Sequence, residues 1–170
     1  MFTDDTGESY LYWGNGTAYV APLNPDLTSI DVGRRRSISG LTDFREGLFM
    51  NKRDNTYYLS YSIDDTGSEN YRVAYATGAT PFGPFTAKGL ILSKDPSQGI
   101  LGTGHSSIIQ IPGRDEWYIV YHRFAIPDGN GYRRETTIDR LYFDSAGAIV
   151  PVIPTLESID PDATADLGLS

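Results

Sequence analysis

Short β-strand patterns recur along this chain in loose units that begin near Met1, Glu46 and His105. Each unit has a first strand, an aromatic-rich alternating strand, a third strand and an outer strand, separated by turn signals such as Asn15-Gly16. Four strands repeated about every 50–60 residues are the sequence pattern of propeller blades. A sandwich also contains many short strands, so the repeat alone leaves both all-β architectures open.

Alternation of apolar and polar residues predicts the individual strands, and no segment has a helical period long enough to predict an α-helix. Trp13, Tyr58 and Trp117 are expected to pack inside the blades rather than to stack on sugars. Residues 34–43 are expected to form a polar connection. The predicted strands cover residues 1–3, 9–14, 17–23, 27–32, 56–63, 71–77, 85–92, 108–111, 117–123, 134–143 and 149–153.

The charge balance narrows the possible partners. Acidic residues outnumber basic ones, 22 to 14, and the formal net charge is −8. The longest basic run is Arg34-Arg35-Arg36, so nucleic-acid binding is not expected, whereas a neutral glycan suits the composition. There are no cysteines, which excludes disulfides, and no apolar run approaches the ~20 residues of a membrane span. The first residues lack the basic and apolar regions of a signal peptide. A chain from which a signal peptide had been removed would look the same.

Residues 44–62 contain the acid that most deserves a functional interpretation. Glu46 precedes Gly47 and an apolar run, after which the chain turns at Arg53-Asp54-Asn55 and returns as an aromatic strand. A carboxylate at the tip of such a hairpin can point into a cleft. The alternative is an ordinary exposed acid beside a strand, which is how most acidic residues occur.

Six stretches of the chain follow one another in a specific order and spacing: FREGLFMNKRDNTYYLSYS, NYRVAYATG, GTGHSSIIQIP, WYIVYHR, YRRETTIDRLYFD and PVIPT. Together they resemble glycoside hydrolase family 43, above all its α-L-arabinofuranosidase and β-xylosidase branches. The resemblance runs from Met1 to about Glu157, which predicts a partial propeller domain over residues 1–157 and a loose acidic tail over residues 158–170. It implies that the chain forms about the last three blades of a five-bladed β-propeller.

The resemblance also implies roles for three residues. The family is inverting, with an Asp as general base, a second Asp that orients the acid, and a Glu as general acid, which Glu46 matches. His105 matches a histidine that points into the propeller axis and helps to hold a calcium ion or its waters; the alternative is a polar-core histidine. Arg134 matches an arginine that reaches the substrate, and its alternative is a salt bridge at the rim. No cofactor is required, although a structural Ca²⁺ in the channel is possible.

Other acids are expected to have a simpler role. Asp4-Asp5-Thr6-Gly7 and Asp64-Asp65-Thr66-Gly67 have the composition of turns, so these four acids are interpreted as turn formers. Family members are roughly twice this length, and the resemblance leaves the first two blades and both catalytic Asp residues outside this chain. We therefore expect the chain alone to be inactive or nearly so, and to need further blades or self-association to cover its open faces.

Two functions from different classes remain open at this point. The leading one is hydrolysis of terminal α-L-arabinofuranosyl or β-xylosyl linkages in plant polysaccharides, on an arabinose- or xylose-containing glycan. The second is a non-catalytic glycan-binding or structural propeller fragment. A related clan that acts on fructans usually shows Glu-Cys at the acid, whereas this chain has Glu46-Gly47 and no cysteine. Many relatives in this family are exported by bacteria, so the resemblance favours secretion over a cytoplasmic location for the full-length protein.

Overall fold

The computed structural model describes residues 1–157, which form eleven strands in three antiparallel sheets. The first blade has the order β1-β2-β3-β4, the second β5-β6-β7-β8, and the third β11-β10-β9. Within residues 1–157 no helix is long and apolar enough to cross a membrane. The strands are β1 (Phe2–Thr3), β2 (Ser9–Asn15), β3 (Thr17–Pro22), β4 (Arg36–Ser37), β5 (Glu46–Arg53), β6 (Thr56–Ile63), β7 (Arg72–Gly78), β8 (Thr86–Leu92), β9 (Gly104–Gln110), β10 (Trp117–Phe124) and β11 (Arg134–Leu141).

The second blade lies between the other two, and its strand β6 shows why. Tyr57, Leu59 and Tyr61 belong to the core shared with the first blade, whereas Tyr58 belongs to the core shared with the third. Successive side chains of a strand point to opposite faces, so this aromatic strand is buried on both sides. Strand β5 of the second blade contacts β2 of the first and β9 of the third, so the three blades pack face to face in chain order.

Charged side chains also join the blades. Asp4, which was interpreted only as a turn former, is buried and accepts hydrogen bonds from Lys52 Nζ at 3.0 Å and Tyr57 Oη at 2.8 Å. Arg53 of the second blade forms two hydrogen bonds with Asp115 of the third, at 2.9 and 2.6 Å. Asp4 is therefore a contact between blades as well as part of a turn.

The predicted outer strand over residues 27–32 is wrong. Asp26 Oδ1 accepts hydrogen bonds from the backbone N–H groups of Thr28 and Ser29, which folds this segment as a turn. The outer strand is instead β4, inside the predicted polar connection, where Ser37 and Arg36 pair with Tyr19 and Val20 of β3.

The predicted strand over residues 149–153 is also wrong. The third blade has three strands, and only Ile149 pairs in this segment, as an isolated bridge to Phe143. Val152 N–H instead donates to the carbonyl of Ile91 in the second blade, at 2.7 Å. Pro151 has no N–H to donate, so a regular ladder cannot form through this segment.

The aromatic residues assigned to blade cores divide into two groups. Tyr58 and Trp117 are buried, as predicted. Trp13 is only partly buried and stacks on Tyr19, with ring centroids 5.7 Å apart. Both residues are absent from the two cores formed by residues 1–157, so Trp13 does not contribute to the core of these three blades.

Candidate active site

Glu46 is the first residue of β5 and pairs with Ser62 of β6. The register shifts between Glu46 and Phe49, and Gly47 has a φ of 69°, which together form a bulge. A Cβ at Gly47 would lie 3.0 Å from Ser62 Oγ and 3.4 Å from His105 Cγ, so a side chain here would crowd both neighbours. The bulge redirects Glu46 away from the regular strand alternation.

Both carboxylate oxygens of Glu46 have a hydrogen-bond donor. Tyr71 Oη donates to Oε1 at 3.0 Å, and Asn15 Nδ2 donates to Oε2 at 3.3 Å. Asn15 ends β2 of the first blade, and the backbone N–H of the next residue, Gly16, donates to the carbonyl of Arg45 at 2.8 Å. Two blades therefore fix the position of Glu46.

Tyr71 links Glu46 to His105. It is fully buried, and its hydroxyl lies 3.3 Å from Nδ1 of His105. Burial, above all, raises the pKa of Tyr71, and the charge of Glu46 acts in the same direction against the opposing effect of the Ser62 hydroxyl. Tyr71 therefore keeps its proton at any physiological pH.

His105 lies at the start of β9 with a φ of 52° and an exposed side chain. Its backbone N–H donates to Ser62 Oγ at 2.9 Å, which ties this end of the third blade to the second. Calcium takes six to eight oxygen ligands. Among residues 1–157 no cluster of three or more His, Cys, Asp or Glu could hold a metal, and the side-chain contacts of His105 are to a phenol and an imidazole. The described residues thus do not by themselves form a calcium site.

His122 is a site residue that the sequence analysis missed. Its ring stacks on Tyr71, with centroids 5.4 Å apart and planes at 12°. Burial, first, and then the charges of Arg134 and His105 lower its pKa to about 4, so His122 is neutral at pH 7. Its Nε2 accepts a hydrogen bond from Arg134 Nη1 at 3.2 Å, which leaves the proton on the buried Nδ1, without a partner among the described residues.

Arg134 begins β11 at the edge of an open cavity of about 540 Å³. It donates to Thr66 Oγ1 at 2.8 Å as well as to His122, and these partners in the described part of the chain are not carboxylates. The cavity brings Arg134 and His105 together, and Glu46 reaches them through Tyr71. The cavity is lined by His105, His122, Tyr132, Arg134, Glu135 and Thr136.

The missed residues had weak signals in the sequence. Asn15 lies in an Asn-Gly hairpin turn, and Tyr71 opens a strand, so both had a structural explanation already. His122 falls out of step with the core residues Ile119 and Tyr121 of the same strand, and that alternation assigns it to the opposite face. A polar ring on that face was the one available indication of a site.

Three packed blades bring a carboxylate, an arginine and two histidines together, and such a combination of an acid with possible substrate-binding groups marks a candidate active site. A family model described as "Glycosyl hydrolases family 43" matches residues 1–149. The chain belongs to this family.

Known relatives agree with this assignment. The chain is 38% identical over 162 residues to a β-D-galactofuranosidase (xynD) of Aspergillus niger, covering 94% of this chain and 46% of the relative. It is 32% identical to an arabinoxylan arabinofuranohydrolase of Bacillus subtilis, covering 89% of this chain and 34% of the relative. The chain thus spans about a third to a half of the length of these curated relatives.

Solved structures show the same architecture. A thermostable family-43 glycoside hydrolase superposes with a TM-score of 0.81 and 31% identity, over 94% of this chain and 58% of that one. A β-xylosidase/α-arabinofuranosidase from a compost metagenome, in complex with xylotriose and in a calcium-free form, superposes with a TM-score of 0.74 and 26% identity, over 92% and 57%. The three blades are therefore part of a five-bladed propeller of this family, as the family resemblance implied.

Proposed function

We propose that this chain carries the acid-bearing part of an inverting glycosidase that removes terminal α-L-arabinofuranosyl or β-xylosyl units from plant polysaccharides. Glu46 is the general acid in this proposal. The observation that supports it best is the placement of Glu46: both of its oxygens are held by donors from two blades, and Tyr71 connects it to His105, which lines a cavity together with Arg134.

The chemistry of this proposal needs two further groups. Glu46 gives its proton to the glycosidic oxygen as the bond from that oxygen to the anomeric carbon breaks. A water on the opposite face of the sugar attacks the carbon and loses a proton to a base, ~6.5–9.5 Å from the acid. A neighbouring carboxylate keeps the acid protonated until then. Among residues 1–157 the hydrogen-bond partners of Glu46 are Tyr71 and Asn15, and neither can fill these roles.

We propose that both carboxylates belong to residues outside this chain, with the base on one of two further blades and the orienting carboxylate on a segment adjoining the first blade described here. The coverage of the relatives supports this, since the chain spans only 35–58% of the solved structures with a TM-score above 0.8. The complete propeller consists of these 170 residues together with the residues that supply those groups, as one polypeptide or as a complex.

The first test is the activity of the 170-residue chain alone on aryl α-L-arabinofuranosides, β-xylosides and β-D-galactofuranosides. We expect no turnover above the uncatalysed rate, because each general acid or base contributes roughly 10²–10⁴-fold. Robust turnover by this chain, abolished in Glu46→Gln, would show that no further blade is needed.

The second test is the size of the chain in solution. The outer faces of the first and third blades carry partly exposed apolar residues, including Trp13 and Ile109. We expect these faces to be covered by the further blades or by a second copy of the chain. A stable monomer of 18.7 kDa would contradict that expectation.

In the cavity, we propose that Arg134 and His105 bind sugar hydroxyls. The geometry that supports this is their shared position at the cavity wall, where Arg134 bonds to Thr66 and His122 and forms no ion pair with a carboxylate among residues 1–157. A calcium ion whose waters contact His105 remains a prediction of the family resemblance, and its oxygen ligands would come from water or from the further blades. Calcium titration of the complete propeller and of its His105→Asn variant tests this role.

The second candidate is a non-catalytic glycan-binding or structural fragment. It is favoured by the cavity, which is formed entirely by these blades and needs no catalytic Asp to exist. Calorimetric titration of the chain with xylo-oligosaccharides separates the two: binding that depends on Arg134 but is indifferent to Glu46→Gln, with no hydrolysis by the complete propeller, supports the binding function. We also propose export of the full-length protein, since a polysaccharide substrate lies outside the cell.

A further inference from the structure

We infer that Tyr71 is a positioning residue for Glu46. The Tyr71 hydroxyl donates to His105 while Glu46 is protonated, and it turns to Glu46 as the Glu46 proton leaves. This inference rests on the proposed role of Glu46 as general acid. It adds a residue that acts through the acid and does not itself touch the reacting atoms.

The ring of Tyr71 is fixed on both sides. The residue is fully buried, and a Cβ at Gly104 would lie 2.3 Å from two carbons of the Tyr71 ring. The glycine therefore leaves room for the tyrosine ring to lie directly against the β9 backbone. His122 stacks on the ring at 5.4 Å. With the ring immobile, rotation of the hydroxyl is the one motion left to this side chain.

The hydroxyl of Tyr71 has a single proton and two acceptors. Glu46 Oε1 lies 3.0 Å away and His105 Nδ1 lies 3.3 Å away. An ionised carboxylate is the stronger acceptor, whereas a protonated Glu46 leaves the imidazole nitrogen as the better one. The direction of the hydroxyl therefore follows the protonation of Glu46.

The two states match the two ends of the acid step. Before the step, the carboxyl O–H of Glu46 points to the glycosidic oxygen, and Tyr71 donates to His105 Nδ1. During the step, the Glu46 O–H bond breaks, the proton forms a bond to the leaving oxygen, and that oxygen keeps the electron pair of the broken C–O bond. Tyr71 then donates to the new Glu46 carboxylate and retains its own proton throughout, because burial keeps it a neutral phenol.

The test uses the complete propeller and two leaving groups on the same sugar. Cleavage of a methyl glycoside needs the acid to protonate the leaving oxygen. A 2,4-dinitrophenyl glycoside does not need it, because 2,4-dinitrophenolate leaves as a stable anion. We expect Tyr71→Phe to lower kcat/KM about 10–100-fold on the methyl glycoside, since a hydrogen bond to a charged group is lost, and to change the dinitrophenyl rate only slightly. Tyr12→Phe is the matched control, because its buried hydroxyl donates to the carbonyl of Pro81 at 2.8 Å, away from the site.

The outcomes distinguish an error in the role of Tyr71 from an error in the role of Glu46. Glu46→Gln should show the same selective loss on the methyl glycoside, only larger. If Glu46→Gln is selective but Tyr71→Phe lowers both rates equally, or neither, the positioning role of Tyr71 is wrong and the acid assignment stands. If Glu46→Gln is not selective, or the complete propeller does not hydrolyse glycosides, the proposed function fails and the inference fails with it. Thermal unfolding of each variant checks that Tyr71→Phe still folds.

Discussion

The buried carboxylate of Asp4 gives the sharpest prediction about how the blades hold together. Its side chain is 7% exposed and joins the first blade to Lys52 and Tyr57 of the second. Asp4→Asn keeps the volume and removes the charge, so two charge-assisted hydrogen bonds become weaker neutral ones. Hydrogen bonds to charged groups contribute about 1.5–3 kcal/mol, and we expect a loss of about 2 kcal/mol in the free energy of unfolding.

Asp5→Asn is the matched control. Asp5 also binds Lys52, at 2.8 Å, but its side chain is 84% exposed, so we expect no measurable loss. Urea unfolding of the chain and of the two variants measures both values on one scale. Equal unfolding free energies for Asp4→Asn and Asp5→Asn would refute the argument that burial makes the Asp4 contact important.

The pH dependence of this difference follows from the ionisation of Asp4. Burial alone would raise its pKa, but the hydrogen bonds from Tyr57 and Lys52 outweigh burial and lower the pKa below 3.8. A lowered acid pKa stabilises the fold fully above the unfolded value and loses that effect as the pH falls through the folded value. The gap between the chain and Asp4→Asn should therefore be constant from pH 7 to 5 and shrink below about pH 4.

Three further predictions concern the site. Gly104→Ala should destabilise the chain by about 1–3 kcal/mol in urea unfolding, because the new methyl group meets the fixed ring of Tyr71; an unchanged midpoint would show that the ring can move. Arg134→Ala should weaken xylo-oligosaccharide binding in calorimetry, whereas the exposed neighbour Arg133→Ala should not, and equal effects would contradict the cavity assignment. Burial lowers the pKa of His122 to about 4, so the unfolded state binds the His122 proton at a higher pH than the folded state does. The chain should therefore lose stability relative to His122→Gln as the pH falls from about 7 to 4. Parallel pH profiles of the two unfolding free energies would contradict the burial of His122 as a neutral ring.

The strands that the sequence predicted well are those whose two faces differ or are both apolar. Strand β6 is aromatic on both faces, and β10 begins with five apolar or aromatic residues that cover both faces, so local pattern alone locates them. The outer strand of the first blade was misplaced because its position depends on distant contacts. Arg36 of β4 lies over the ring of Phe82 from the second blade, at 5.5 Å, and no local pattern encodes that contact.

The site was predictable only in part, for a similar physical reason. Glu46 could be proposed from its hairpin and from the order of the surrounding motifs. Tyr71 and His122 could not, because alternation tells which face of a strand a residue occupies but not which side chain it meets across two blades. Asp4 was misjudged in the same way, since its turn is local but its partners are about fifty residues away in sequence.

The most direct test of the central claim is the rate at which the complete propeller hydrolyses an unactivated arabinoxylo-oligosaccharide, with and without Glu46. Glu69→Gln serves as control, because the carboxylate of Glu69 is exposed and forms an ion pair with Lys94. We expect Glu46→Gln to lower kcat by roughly 10²–10⁴-fold and Glu69→Gln to leave it unchanged. A Glu46→Gln propeller that retains the full rate would contradict the assignment of Glu46 as the general acid.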